Sequence, residues 1–320
     1  MGRPPRSRPP YWQARDFRPQ VAATTAAVAL VGGWYDAFLP GQLDDYAALV
    51  AAGRTPRLVI GPWSHTDAAS QVGEVIAFLQ ATLGGAGAPE GGPVRLYVTG
   101  AGQWRDYPAW PLPGTRTTAW YLQPAGGLGP QPEGHAAAPS RFRYDPADPT
   151  PNLGGPRIHG RRQVAQDALE ARRDVLVFTG SVLERPLEVI GPVQATVHLR
   201  SSVERAQVFV RLCDVDATGR SWHVCDGIQR VDGACWPADN DGVRRVQMHL
   251  FPTAHQFAAG HRLRVLVAGG AHPRFVRAFG TKTAISIATQ GLPVDHELLH
   301  DPSHPSRIEL PVAGQADRRR

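Results

Sequence analysis

The sequence predicts two architectures in tandem, an α/β segment followed by an all-β one. Three observations point there. Residues 26–31 and 58–60 are uniformly apolar rather than alternating, as in parallel strands buried on both faces. Each run is followed by apolar residues at helical spacing: Leu43, Tyr46, Leu49 and Val50, then Val72, Val75, Ile76 and Leu79. Strand–helix–strand–helix order is the signature of a parallel sheet. Beyond residue 93 the pattern becomes many short segments of period two, separated by Gly, Pro, Asp and Asn. That change predicts a β-sandwich or jelly roll.

Taken in order, residues 1–20 open with an arginine- and proline-rich tail, followed by an aromatic-charged stretch at 11–17 that reads as a short helix. The first apolar run ends in Gly32-Gly33, and Asp36 lies just past it. Gly53 stands where the first helix needs a C-cap. The second run ends in Gly61-Pro62 and delivers His65. After the second helix, Gly84-Gly85-x-Gly87-x-Pro89-x-Gly91-Gly92-Pro93 places a domain boundary, so the α/β part spans 21–92 and the sandwich 93–320. Strands are expected at 94–98, 117–122, 175–178, 193–199, 207–215, 243–250 and 262–268. Residues from about 123 to 170 read as a long irregular crossover with no core of its own.

Composition narrows the function classes. With 42% hydrophobic and 19% charged residues, the chain is globular and long enough for a large core. No apolar run approaches the ~20 residues of a membrane span, and no secretory signal is legible at the start. The net charge of +6 would suit nucleic acid, but Arg3, Arg6, Arg8, Arg318, Arg319 and Arg320 sit in the tails. Without these six of the 34 basic residues, the body is balanced against its 28 acidic ones, and no basic stripe with interleaved aromatics remains. Cys213, Cys225 and Cys235 form no CxxC pair and read as reduced thiols of a cytoplasmic protein.

The chemistry centres on Asp36 and His65. Each lies on a loop just beyond a strand, where open α/β sheets keep their sites. Trp34 and Phe38 flank the acid, where core packing beside the strand end is the plain reading and substrate contact the alternative. Ser64 is a poor nucleophile candidate, since neighbouring loop residues rarely aim at each other and no elbow surrounds it. Ser181 reads as a turn residue. His296, His300, Asp301 and His304 could suggest a metal, but Pro302 and Pro305 oppose the helix that would align them. Asp239-Asn240-Asp241-Gly242 lacks the downstream Glu of a calcium loop and reads as a turn. The expectation is no metal and no cofactor.

Several strings resemble the cocaine-esterase-like (CocE/NonD) and X-Pro dipeptidyl-peptidase family of serine hydrolases. They are Tyr11-Trp12-Gln13-Ala14-Arg15-Asp16, Gly32-Gly33-Trp34-Tyr35-Asp36, Gly61-Pro62-Trp63-Ser64-His65, Trp104-Arg105 with Trp110-Pro111, Leu187-Glu188-Val189-Ile190-Gly191-Pro192, Pro273-Arg274-Phe275, and His300-Asp301-x-x-His304-Pro305-Ser306-Arg307. The resemblance implies a partial α/β-hydrolase sheet, preceded by a cap remnant in 1–20 and followed by a galactose-binding-like jelly roll. It implies that Asp36 is the triad acid and His65 the triad base, with Phe38 lining the acyl pocket. It also implies an upstream Gly-x-Ser-x-Gly elbow, and no such string occurs in the 320 residues. The chain thus reads as the C-terminal, truncated part of the family's architecture, inactive alone, with roughly two sheet strands and an exposed edge. The expected partners are an ester, amide or peptide substrate once a serine-bearing segment completes the site, with homo-oligomers open and nucleic acid and membrane excluded. The alternative is a non-catalytic β-sandwich binding or assembly module.

Overall fold

The computed structural model describes residues 10–85, 91–158 and 163–314. Two one-turn helices, α1 (Pro10–Gln13) and α2 (Arg18–Val21), lead in, the first overlapping the stretch at 11–17 that reads as a short helix. The earlier residues, 1–9, lie outside the described chain.

The first sheet has four strands in the order β1 (Ala29–Tyr35), β2 (Arg57–Ser64), β3 (Val94–Val98), β4 (Gln103–Tyr107). The first three run parallel, and β4 returns antiparallel to β3. Residues 94–98, expected to open the sandwich, thus belong to the first sheet. The apolar alternation Val94, Leu96, Val98 continues the core of that sheet.

Between β1 and β2 runs α3 (Leu39–Ala51). It buries Leu39, Leu43, Tyr46 and Leu49, a stripe at i, i+4, i+7, i+10, and the first three share a core with Leu58, Ile60, Val94 and Leu96. Its end is a Schellman motif: Gly53, at φ 74°, donates to the Val50 carbonyl and Arg54 to that of Leu49. The second helix, α4 (Ala68–Leu83), also packs on β1.

The second sheet has 13 strands: β5 (Arg116–Gln123), β6 (Gly127–Gly129), β7 (Ser140–Tyr144), β8 (Val175–Gly180), β9 (Leu187–Gly191), β10 (Gln194–Ser201), β11 (Ala206–Val215), β12 (Ser221–Val231), β13 (Arg244–His249), β14 (Thr253–Phe257), β15 (Arg262–Ala268), β16 (Val294–Leu298) and β17 (Arg307–Val312). A 3-10 turn (Pro124–Gly126) and a single-turn α5 (Asp167–Glu170) interrupt them. All the pairings are antiparallel except β6 with β8. Val208, Val210 and Leu212 of β11 share one core with Val197 and Leu199 of β10, although β11 and β10 lie far apart in sheet order. The sheet therefore wraps around a single apolar interior. The expected crossover at 123–170 contributes to it: β6 and β7 fall there, and Leu128 and Phe142 join the core.

The two sheets are joined by backbone and by charge. Thr99 donates its N–H to the Ala254 carbonyl (2.9 Å) and accepts from Gln256 (2.8 Å). His255 bridges Thr99 Oγ1 (2.9 Å) and Asp214 Oδ2 (3.0 Å) across the junction. Arg105 of the first sheet pairs with Glu188 of the second at 2.5 Å. No helix among the described residues is long and apolar enough to cross a membrane.

Candidate active site

Both site residues stand one position beyond parallel neighbours, as the sequence suggested. The ladder runs in register from Ala29↔Arg57 to Gly33↔Gly61, then slips so that Tyr35 faces Ser64. The extra residue on β2 is a bulge, a device that re-aims the side chains after it. Glycine is required beside it. A Cβ on Gly33 would lie 2.1 Å from the Trp63 carbonyl oxygen, and one on Gly61 would lie 2.5 Å from the Trp63 ring.

Asp36 uses its two oxygens separately. Oδ1 accepts the Phe38 N–H at 2.8 Å, which fixes the carboxylate on its turn. Oδ2 meets His65 Nδ1 at 3.1 Å. An ionised carboxylate can only accept, so Nδ1 carries the proton in this bond, and the neutral ring has its lone pair on Nε2. Nε2 has no hydrogen-bond partner among the described residues. The Asp36 side chain is largely buried at 12% exposure, while that of His65 is 47% exposed. Phe38, itself exposed, sets its ring edge-on to the imidazole with centroids 4.8 Å apart. An imidazole held in this way can take up a proton at Nε2.

Of the four predicted site residues, Asp36, His65 and Phe38 come together. Trp34 does not join them. It lies on the strand rather than the loop, its indole N–H donates to the Tyr97 carbonyl (2.8 Å), and it packs buried against Trp110. Ser64 turns away as well: its hydroxyl and its N–H both donate to Asp67 Oδ2 (3.0 and 2.7 Å).

Sequence reasoning missed the support behind the acid. Arg157 donates its backbone N–H to the Tyr35 carbonyl (2.9 Å), forming a parallel bridge to Asp36. Its guanidinium donates to the Asn152 carbonyl (2.8 Å). Asn152 Oδ1 accepts from Arg211 Nη2 (2.9 Å), which also bonds Asp226 Oδ2 (2.8 Å). Arg274 and His223 complete the shell of Asp226 at 2.6 and 3.0 Å. Burial would raise the Asp226 pKa, but the Arg274 and Arg211 guanidiniums hold it well below the carboxylate range. Burial pushes His223 down to about 4. The available signal was Gly154-Gly155 (φ 67° and 81°): a Cβ on Gly155 would come within 2.9 Å of Asp226 Oδ2.

The histidine-rich C-terminal string disperses. His296 meets Ser201 Oγ (2.8 Å), and His300 meets Ser140 Oγ (2.7 Å) and the Leu122 carbonyl. His304 instead bridges Asp301 and Asp239 at 3.0 and 3.1 Å. Ligand-type atoms of Asp239, Asp241 and His304 lie within 4.8 Å of one another, a grouping the sequence reading did not foresee. Both ring nitrogens of His304 are engaged by carboxylates there, and Asp239 Oδ1 closes the expected turn by accepting from Asp241 and Val243.

Residues 87–309 match the X-Pro dipeptidyl-peptidase C-terminal non-catalytic domain, and residues 5–67 match the X-Pro dipeptidyl-peptidase (S15 family). The chain belongs to the X-Pro dipeptidyl-peptidase family. It is 31% identical to a cocaine esterase from Rhodococcus sp. (strain MB1 Bresler) over 94% of its own length and 59% of that protein's. Among solved structures it is similar to an alpha-amino acid ester hydrolase, with a TM-score of 0.84 and 25% identity over 95% of this chain and 58% of that one. An aminopeptidase from a marine-sediment Thaumarchaeota archaeon shares the fold at TM-score 0.84 and 24% identity, over 95% and 58% of the two chains. The chain therefore spans under two thirds of the length of these relatives.

Proposed function

We propose that this chain carries the acid–base pair of a serine hydrolase of the esterase or X-Pro peptidase type, and that the nucleophile comes from polypeptide outside these 320 residues. The observation behind the proposal is the Asp36 Oδ2–His65 Nδ1 contact at 3.1 Å, which leaves Nε2 free to act. In the completed site His65 Nε2 takes the proton of a serine hydroxyl as its oxygen attacks an ester, amide or Xaa-Pro carbonyl. Asp36 orients the ring and stabilises the imidazolium that forms. Collapse of the tetrahedral intermediate expels the leaving group, which receives that proton, and water then hydrolyses the acyl-enzyme by the same base. Phe38, edge-on to the imidazole, borders the acyl position. Residues from about 108 onward form a galactose-binding-like jelly roll on this reading, and it serves as scaffold: its Arg211–Asp226 cluster backs the loop that holds Asp36. The match of this region to a non-catalytic domain supports that role.

A chimera tests the pair. This chain replaces the corresponding part of the Rhodococcus cocaine esterase, and hydrolysis of p-nitrophenyl butyrate is measured. His65→Ala should lower kcat at least about a thousandfold. An active chimera indifferent to that substitution would sink the assignment. The 320-residue chain alone should not be labelled by a fluorophosphonate probe, and labelling lost in His65→Ala would place the nucleophile within it.

A further inference from the structure

Where β11 begins and β12 ends, Ala206 pairs with Val231 beside a cavity of about 340 Å³. That volume lies at the small end of the range for ligand pockets, about 300–1,000 Å³. One wall is the segment 278–285, between β15 and β16. This segment is tied to the start of β11 at two points. Gln207 Nε2 donates to the Val276 carbonyl (3.1 Å), and Arg205 Nη1 donates to the Lys282 carbonyl (2.6 Å). Among the described residues, none of the first sheet lines the cavity.

Two of the lining residues hold a buried polar atom with no partner among the described residues. They are Gln207, 4% exposed, through Oε1, and Thr281 through Oγ1. Buried polar atoms are seldom left unpaired, so two beside one cavity call for a ligand that pairs with them. An amide oxygen only accepts, so the ligand must bring Gln207 Oε1 a donor. Arg230 lines the same cavity, is exposed, and pairs its guanidinium with no acceptor among the described residues. A guanidinium only donates, and a carboxylate matches its fork. Glu204, 3.6 Å from Lys282, and Asp232 bring negative charge to the lining, while Arg205 and Arg230 bring positive charge. A cavity that carries both signs suits a ligand that carries both.

We infer that this cavity binds a free α-amino acid with an apolar side chain. Arg230 takes the carboxylate. Gln207 Oε1 accepts from the ammonium group, whose charge Glu204 and Asp232 offset. The Thr281 hydroxyl, able to donate or accept, completes the polar end. The side chain lies against Val231, Phe279 and Ile285 of the lining. A neutral polyol would leave the Arg230 charge unanswered, and a simple anion would leave Gln207 Oε1 without a donor. The inference does not rest on the proposed function, because the Asp36–His65 pair takes no part in this cavity.

Equilibrium dialysis of the 320-residue chain against radiolabelled L-leucine tests the site. Binding should saturate at one leucine per chain. 4-Methylpentanoate lacks the ammonium group of leucine, and 3-methylbutylamine lacks its carboxylate. Each should compete at least about tenfold more weakly than unlabelled leucine. Arg230→Met, at an exposed position and checked for an unchanged circular dichroism spectrum, should weaken leucine binding at least about tenfold. Thr281→Val removes a hydroxyl that has no partner among the described residues, so it should leave the urea midpoint unchanged and weaken leucine binding several-fold. His65→Ala should leave the affinity as it was. The absence of saturable leucine binding would overturn the site. So would equal competition by either analogue, or an affinity indifferent to both Arg230→Met and Thr281→Val. Binding that His65→Ala abolishes and Arg230→Met spares would place the leucine at the Asp36–His65 pair and overturn the inference as well.

Discussion

Asp36 holds its turn with one oxygen and the imidazole with the other, so replacing the carboxylate by an amide changes one function without the other. In Asp36→Asn, Oδ1 can still accept from Phe38, but Nδ2 then presents a donor to His65 Nδ1. The ring must answer by moving its proton to Nε2, which removes the lone pair a base needs. Long-range 1H–15N NMR should show His65 protonated at Nδ1 in the unaltered chain and at Nε2 in the variant, and an unchanged tautomer would contradict this account. In a completed site the same change should cost about 10⁴-fold in kcat. At this scale the placement of the pair was legible, since apolar runs ending in glycine put Asp36 and His65 just past strand ends, while their roles came only from the family resemblance. The placements of Trp34 and Phe38 were not, because the sequence does not say which flanking ring is held in the core; Trp34 is, with its indole bonded to the Tyr97 carbonyl, and Phe38 is exposed. Arg157 was invisible for another reason: its contact is made by backbone, which any residue type carries.

At the scale of elements, the glycines of the first sheet separate by what surrounds them. Gly33→Ala pushes a methyl into the Trp63 carbonyl, a backbone atom that cannot move without undoing the bulge before His65. The expected loss is at least about 2 kcal/mol by urea denaturation, with disturbed His65 resonances. Gly41→Ala, inside α3 with nothing within 4 Å, should stabilise by about 0.5–1 kcal/mol through helix propensity alone. Most strands with clean alternation were readable, and so was α3, whose apolar stripe coincides with its buried face. By contrast β12 escaped, since Ser-Trp-His-Val-Cys-Asp-Gly carries buried polar residues and a glycine where alternation should show. That glycine, Gly227, is needed because a Cβ there would meet the His249 carbonyl at 2.5 Å. The helical period of α4 was equally plain, but not its orientation: periodicity reports a two-faced helix and is silent on which face meets the parent sheet.

At the scale of the whole molecule, the second sheet buries ionisable groups that tie its stability to pH and its interior to the Asp36 loop. Asp226→Ala would leave the Arg211 and Arg274 guanidiniums in the interior without their shared carboxylate. Loss of about 3–5 kcal/mol is expected, seen as a lowered urea midpoint. Acid should act on the same interior through histidine. Burial holds His198, His223 and His296 down to about 4 from the ordinary 6.5, so all three are neutral in the folded chain at neutral pH. As pH falls below about 6.5 the unfolded chain binds protons at these rings while the folded chain does not, and the slope of stability on pH is therefore positive. The stabilisation is fully present above 6.5, declines as pH drops, and is gone below about 4, where both states are protonated; each ring contributes about 3 kcal/mol at most. Urea denaturation at a series of pH values should give a plateau above 7 and a steep decline between 6.5 and 4. His296→Gln, which keeps a polar group beside Ser201 but cannot be protonated, should flatten part of that decline. Stability that stays level or rises as pH falls through this window would mean that the three rings are already charged in the folded protein.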